Sequence, residues 1–352
     1  MPGVMSTILL PLSWLYGLAA AARNGAFDRG LLPRRRAAVP VIAVGNLTAG
    51  GTGKTPLVEF IMGRLAARGL SVAVVSRGYG RLSRGVVVVS RRGEIRADAL
   101  TGGDEPVQIA RKFPSASVVV GEWRTEAASR AVGECGAEVI VLDDAFQHRY
   151  IERDLDILVI DAGTDFLREN LLPAGIRREW FSGLKRAGLI GFSRADAAGD
   201  PPWAGMLARW SAARIFAYDI RITGFAAMPG GEPCVSGSLR GKNVLAFSGT
   251  GSHRGFVASL RAEGLNVIAE RQFRDHHRYS AEDLDALLDA AAGTEACVTT
   301  EKDMVRLVAD PRLLERAGGK VPFLYATAAI RMLRGEALLE GALRNVLEEG
   351  RR

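Results

Sequence analysis

The chain is predicted to adopt an α/β fold: a mostly parallel sheet flanked by helices, followed by a smaller second α/β domain across a two-stranded linker. Three observations predict it. An apolar run, Val39 to Val44, enters a glycine-rich turn ending in Lys54-Thr55 and is followed by residues at helical spacing. Short apolar runs then alternate with helical stretches as far as Ser193, the pattern of parallel strands covered on both faces. Composition shifts after residue 214, and a second strand–helix alternation begins at Lys242. These boundaries divide the chain into an N-terminal helical segment 1–36, a first domain 37–214, a linker 215–240 and a C-terminal domain 241–352.

The glycine-rich turn carries the clearest chemistry. In Gly45-Asn-Leu-Thr-Ala-Gly-Gly-Thr-Gly-Lys-Thr55, the order strand, loop, helix is that of a phosphate-binding P-loop. Thr48, Ala49, Gly50, Gly51, Thr52, Gly53, Lys54 and Thr55 form the candidate nucleotide site. The glycines let backbone N–H groups curl round an anion, and Lys54 reaches the β- and γ-phosphates. Thr55 offers its hydroxyl to Mg²⁺, and the helix N-terminus adds positive potential. The pattern departs from G-x-x-x-x-G-K-[ST] at one place, where Thr48 replaces the first glycine. The fold class is therefore P-loop NTPase-like.

The remaining elements follow in order. Helix is expected from Pro56 to Arg68, from the Thr101–Pro106 loop to about Lys112, and from Trp123 to Glu134. Strands are expected at 71–76, 86–90, 117–120, 138–144, 156–161 and 188–193. In the linker, Ile220 to Phe225 reads as a strand, Met228 to Pro233 as a hairpin-like turn, and Cys234 to Ser238 as the return. Beyond it, strands near 242–249, 266–269, 296–300 and 321–325 alternate with helices near 255–263 and 280–291, and a last helix spans about 334–349.

Composition narrows the possible partners. At 352 residues, 48% hydrophobic and 24% charged, the chain has ample material for globular cores. Its net charge of +7 favours an anionic partner, and phosphorylated substrate or anionic lipid fits better than nucleic acid, for which no recognition signature is present. Cys135, Cys234 and Cys297 stand far apart with no C-x-x-C spacing, which speaks against a disulfide framework or zinc. No charged residue precedes Arg23. A signal peptide needs a basic start that is missing here, and Pro11 and Gly17 dilute a spanning helix. A membrane-surface helix fits best, with Trp14 and Tyr16 at headgroup level and Arg23, Arg29 and Arg34 to Arg36 against anionic lipid.

Carboxylates decide how a P-loop is used. Asp143 and Asp144 end an apolar strand, where a P-loop protein places its metal-organising acid. His148 nearby suits a structural role as well as a functional one. Asp104 and Glu105 open a helix in Gly-Gly-Asp-Glu-Pro: either caps the helix, or Asp104 receives a proton from an attacking hydroxyl. In Phe273-Arg-Asp-His-His277, an imidazole oriented by a carboxylate is a better reading than zinc, and a solvated loop is the plain alternative.

Taken together these stretches resemble the tetraacyldisaccharide 4'-kinase family of lipid A biosynthesis, over nearly the whole chain. The markers are Gly45 to Pro56, Ser76-Arg-Gly-Tyr-Gly80, Gly103-Asp-Glu-Pro106, Leu142-Asp-Asp-Ala-Phe-Gln-His148, Leu172 to Glu179, Phe273 to His277 and Thr300-Glu-Lys-Asp303. The family shares Thr48 and usually has glycine where this chain has Ala145. The resemblance implies a kinase that uses ATP and Mg²⁺ to phosphorylate the 4'-hydroxyl of a lipid A disaccharide 1-phosphate, giving the 4'-phosphorylated lipid A precursor (lipid IVA). It implies a peripheral enzyme on the anionic, cytoplasmic face of the inner membrane, and two α/β domains with the site in the cleft between them. By position it makes Asp104 the base, His276 its partner (or His277, its neighbour), and Asp143 and Asp144 the metal-organising pair with Thr55. Glu105, Arg124, Gln147, His148, Arg178 and Glu179 line the cleft.

Two rivals remain at this point. A membrane-bound switch ATPase carries a lysine directly before the glycines, where this chain has Ala49. A kinase or ligase for a small soluble acid would leave the uncharged N-terminus without a task.

Overall fold

The computed structural model describes residues 4–195, 199–234, 237–317 and 321–350. The chain opens with helix α1 (Val4–Asp28), then β1 (Val41–Asn46), α2 (Lys54–Ala66), β2 (Val72–Ser76), β3 (Val87–Arg91) and β4 (Glu94–Ile95). Next come α3 (Ala99–Gly102), α4 (Asp104–Lys112), β5 (Ser117–Val120), α5 (Arg124–Gly133), β6 (Val139–Asp143), β7 (Leu155–Asp161) and β8 (Leu189–Ser193). The long β9 (Arg214–Ala227) leads to β10 (Asn243–Ser248), α6 (His253–Ala262), β11 (Asn266–Gln272), α7 (Ala281–Ala290) and β12 (Ala296–Thr300). The chain returns through α8 (Glu301–Leu307), α9 (Pro311–Ala317), β13 (Phe323–Arg334) and α10 (Glu336–Glu349).

Among the described residues, thirteen strands form one sheet in the order β11-β10-β12-β13-β9-β8-β7-β1-β6-β2-β5-β3-β4. β1 lies between β6 and β7, parallel to both, and every residue of β1 is buried. Such a strand is covered on both faces, which explains why its sequence is continuously apolar instead of alternating. α2 lays Leu57, Val58, Ile61, Met62 and Leu65, none of them measurably exposed, over one face of the sheet. α10 adds Leu339, Leu343 and Val346 to the same core. Each such side chain contributes roughly 1.5–3 kcal/mol by leaving water. On the opposite face, α5 packs Ala127, Ala128 and Ala131, small residues that let the helix lie close.

The linker differs from the sequence expectation. β9 pairs along its length with β13, antiparallel, from Leu324 opposite Ala227 to Arg334 opposite Ala217. β13 extends well past the expected 321–325; the hairpin-like return begins as the Ala226–Pro233 bridge with Cys234 N–H donating to Phe225 O at 2.8 Å, and Val235 and Ser236 lie outside the described residues. A strand has two edges: the local turn brings Pro233 and Cys234 to one edge of β9, while β13, a non-local partner, takes the other. The sheet consequently passes unbroken from the first α/β unit into the second.

α1 is continuous through Pro11. Gly17 lets it dock: a Cβ there would stand 2.6 Å from Leu171 Cδ1 and 2.8 Å from the Trp180 ring, and Trp180 Nε1 donates to the Gly17 carbonyl at 2.9 Å. Tyr16 donates to the Arg178 carbonyl at 2.8 Å, so its hydroxyl belongs to the docked side of the helix. Among the described residues, no helix is long and apolar enough to cross a membrane.

Candidate active site

Register sets the site. Val44 of β1 pairs with Asp143, the last residue of β6, so the acid pair emerges beside the start of the glycine loop. Gly53 caps α2 in the left-handed region, at φ 78°, where a side chain would be strained. Three successive carbonyls are gripped from behind. Arg194 donates to Gly51 O at 2.7 Å, Ser193 Oγ to Thr52 O at 2.7 Å, and Tyr218 OH to Gly53 O at 2.9 Å. Because each peptide is trans, the N–H groups of Gly53 and Lys54 turn the opposite way, toward the space above the loop. Asn46 holds the Thr52 hydroxyl at 2.9 Å, while Ala49 donates its N–H to Ile176 O at 2.7 Å. Thr48 bridges to Arg177, and Thr55 is buried at the helix start.

The acids differ in state. Asp143 is 2% exposed, and its Oδ1 is a buried acceptor with no partner among the described residues. Burial, with Glu105 and Asp144 adding repulsion, pushes its carboxyl up to about 7. Asp144 is also disfavoured by burial, but Lys54 at 3.7 Å and Arg178 at 2.8 Å overcome that and hold it below the usual carboxylate range. Asp144 takes φ 48°, a conformation that aspartate tolerates better than most residues. Ala145, where the family usually has glycine, is buried in ordinary backbone, so the alanine costs nothing there.

Asp104, in the same α/β unit as the glycine loop, opens α4. Its Oδ2 lies 3.0 Å from His276 Nδ1, and Arg306 Nε donates to the same oxygen at 2.6 Å. Burial opposes its charge, yet His276 and then Arg306 keep the carboxyl below its ordinary value. His276 sits at φ 58° against the Tyr79 ring, centroids 5.0 Å apart. His277 turns away, its Nε2 2.8 Å from Asp283. Glu105 pairs with Lys302, which depresses its carboxyl, and it also feels Lys54. The two acids of α4 thus meet cations from the second unit, and one of them is electrostatically linked to the loop lysine.

The other expected cleft residues divide. Arg124 is 4% exposed with its Nε unpartnered, and burial pulls it down to about 10, still charged at neutral pH. Arg178 faces Asp144. Gln147 donates to Asn46 O at 2.8 Å and to Glu179 Oε1 at 3.0 Å. Glu179 is 1% exposed, its oxygens taken by Arg186, Asn24 and Gln147, so it ties α1 to the segments after β6 and before β8. His148 accepts the Arg124 backbone N–H at 3.3 Å; burial and then Arg124 push its imidazole down to about 4, so it is neutral and caps α5. Ser193, Arg194, Tyr218, Lys302 and Arg306 had no role assigned from sequence. The available signal for the last two was their spacing, four apart on one helix and opposite in charge to the Asp104-Glu105 pair.

The donors beside the loop suit a hard cation. Mg²⁺ keeps water and phosphate oxygens among its ligands, so the Thr55 hydroxyl, Asp144 and the orphaned Asp143 oxygen need not form a closed protein cage. No group of three or more His, Cys, Asp or Glu side chains forms such a cage among the described residues.

A family model described as tetraacyldisaccharide-1-P 4'-kinase matches residues 5–348. A tetraacyldisaccharide 4'-kinase of Anaeromyxobacter dehalogenans (strain 2CP-C) is 43% identical over 331 residues, 92% of this chain and 86% of that protein. One from Chlorobium luteolum (strain DSM 273 / BCRC 81028 / 2530) is 39% identical over 359 residues, 98% of this chain and 99% of that protein. Among solved structures, LpxK from Aquifex aeolicus in complex with ATP superposes with TM-score 0.79 at 28% identity, covering 98% of this chain and 100% of that one.

Proposed function

This chain belongs to the tetraacyldisaccharide-1-P 4'-kinase family, and from that premise we propose which of its residues carry the reaction. The activity is transfer of the γ-phosphate of ATP, with Mg²⁺, to the 4'-hydroxyl of a tetraacyldisaccharide 1-phosphate. Lys54 and the Gly53 and Lys54 amides hold the donor phosphates. Thr55, Asp143 and Asp144 would hold Mg²⁺, which would supply charge neutralisation on the phosphate oxygens. Asp104 takes the proton of the sugar hydroxyl, and His276 orients that carboxylate from the C-terminal unit. Arg124, Arg178 and Glu105 set the charge of the cleft between the two groups. We read residues 37–214 and 241–352 as two lobes facing each other across this cleft, with the β9–β13 ribbon as their joint.

The observation that carries this reading is the meeting of Asp104 with His276 at 3.0 Å across the cleft, next to a glutamate within electrostatic reach of Lys54. Phosphoryl transfer is mostly positioning and charge neutralisation, and this arrangement supplies both. The test is a kinase assay with Mg-ATP and tetraacyldisaccharide 1-phosphate in detergent. Phosphate should appear on the distal sugar, and ATP consumption without the lipid would contradict the assignment.

A lipid surface is the second part of the proposal. α1 exposes Ile8, Leu12, Leu15 and Leu18, between 53% and 66%, while Trp14, 61% exposed, stands at the docked edge with its ring 5.6 Å from that of Trp180. The acyl chains of the substrate leave a bilayer at roughly 0.8 kcal/mol per CH₂, so the enzyme comes to its substrate at the cytoplasmic face of the inner membrane. Replacing the four aliphatic residues by serine removes apolar surface that is more than half exposed and belongs to none of the buried cores among the described residues. Recovery on anionic vesicles should fall at least tenfold, with turnover in detergent retained; unchanged sedimentation with vesicles would retire the idea.

A further inference from the structure

Arg306 has no part in the reaction as described, yet it makes the shorter contact to Asp104. Its Nε donates to Oδ2 at 2.6 Å, the oxygen that His276 meets at 3.0 Å. The rest of its guanidinium is fixed: Nη1 donates to Gly249 O at 2.8 Å and to Asp303 Oδ1 at 2.9 Å. Asp303 is fully buried and is itself held by Tyr279 OH at 2.9 Å, Thr300 Oγ1 at 2.7 Å and the Gly249 N–H at 3.0 Å. Arg306 is 7% exposed, so packing decides where it points. One turn earlier on α8, Lys302 pairs with Glu105.

We infer that Arg306 is a positioning residue for phosphate transfer, fixing one oxygen of Asp104 so that the other receives the sugar proton. The inference rests on Asp104 being the base. In the step, the sugar oxygen bonds to the γ-phosphorus while the bond from that phosphorus to the β–γ bridging oxygen breaks. The hydroxyl proton passes to Asp104, and ADP leaves with the electron pair. A carboxylate at a helix start can rotate; two donors on a single oxygen stop it, and an arginine held by a buried aspartate does so rigidly. Both donors belong to the C-terminal lobe, so the base is aimed only while α8 and the His276 loop lie against α4.

Several charges bear on Asp104. His276 and Arg306 touch it; its neighbour Glu105 pairs with Lys302 and feels Lys54 and Asp143, Asp275 acts on Lys302, and Asp303 on Arg306. Removing Arg306 deletes a cation in direct contact. The carboxyl then rises toward its ordinary value, and the base is protonated at higher pH.

The experiment measures kcat and KM for ATP with tetraacyldisaccharide 1-phosphate for Arg306→Met, Arg306→Lys and Asp104→Asn. Arg306→Met should lose roughly 10–100-fold in kcat with KM for ATP within about twofold, the split expected of a residue that aims the base without touching the nucleotide. Arg306→Lys keeps the charge without the fork, so kcat should fall about tenfold, again at unchanged KM. A normal kcat in either variant, or a loss in Arg306→Met carried by KM for ATP, overturns the inference. If Arg306→Met shows no ATP-dependent thermal shift and so does not fold, the lysine variant alone decides. Near-normal transfer by Asp104→Asn would instead remove the base assignment, whatever the Arg306 variants do.

Discussion

Asp104→Ala should lower phosphate transfer by about 10³-fold, within the 10²–10⁴-fold range expected when a positioned base is removed. By the exponential dependence of rate on barrier, that is about 4 kcal/mol of transition-state stabilisation. ATP affinity should change little, because Asp104 contacts His276 and Arg306 rather than the glycine loop. The alanine leaves Arg306 buried without its carboxylate, so Asp104→Asn is the companion that keeps shape and removes basicity. Nucleotide titration by fluorescence, paired with transfer rates, separates the two effects. Transfer within tenfold of the parent in both variants would falsify the assignment.

Lys54→Ala should weaken both nucleotide binding and transfer, with kcat/KM for ATP down by about 10²–10³-fold. Its side chain is 11% exposed and 3.7 Å from Asp144, so removal takes a cation from the phosphates and from the acid pair together. Arg178 remains on Asp144 at 2.8 Å, which keeps that carboxylate ionised and the fold intact. Lys54→Arg should not restore the rate, since a wide planar guanidinium does not fit a loop built round a point charge. The same titration checks both variants; unchanged ATP affinity and turnover in Lys54→Ala would remove the loop from the mechanism.

Local rules made much of this molecule legible from sequence. β1, the glycine loop and α2 were readable because a buried strand, a turn that needs glycine and a helix each leave a pattern within a few residues. Asp143 and Asp144 were readable because polar groups at the end of an apolar run need a reason. What escaped depends on distant parts of the chain. The β9–β13 pairing joins segments separated by the whole second lobe, and no local pattern encodes a mate that far away. Arg306 sits in Glu-Lys-Asp-Met-Val-Arg-Leu307, a sequence that reads as an ordinary exposed helix until α8 is seen against α4. The partners of Glu179 and His148, residues expected at the cleft, come from distant parts of the chain, Asn24 and Gln147 for one and the Arg124 backbone N–H for the other.

The ribbon also bears on how the protein is made. The chain leaves the first lobe along β9 and re-enters it along β13, ending in α10, whose Leu339, Leu343 and Val346 complete the core that α2 begins. During synthesis, then, the core between α2 and the sheet lacks its α10 side chains until the entire second lobe has emerged from the ribosome. The lobe that carries the glycine loop is completed only after the other, and a nascent chain stalled before α10 presents a half-built apolar surface to chaperones and proteases.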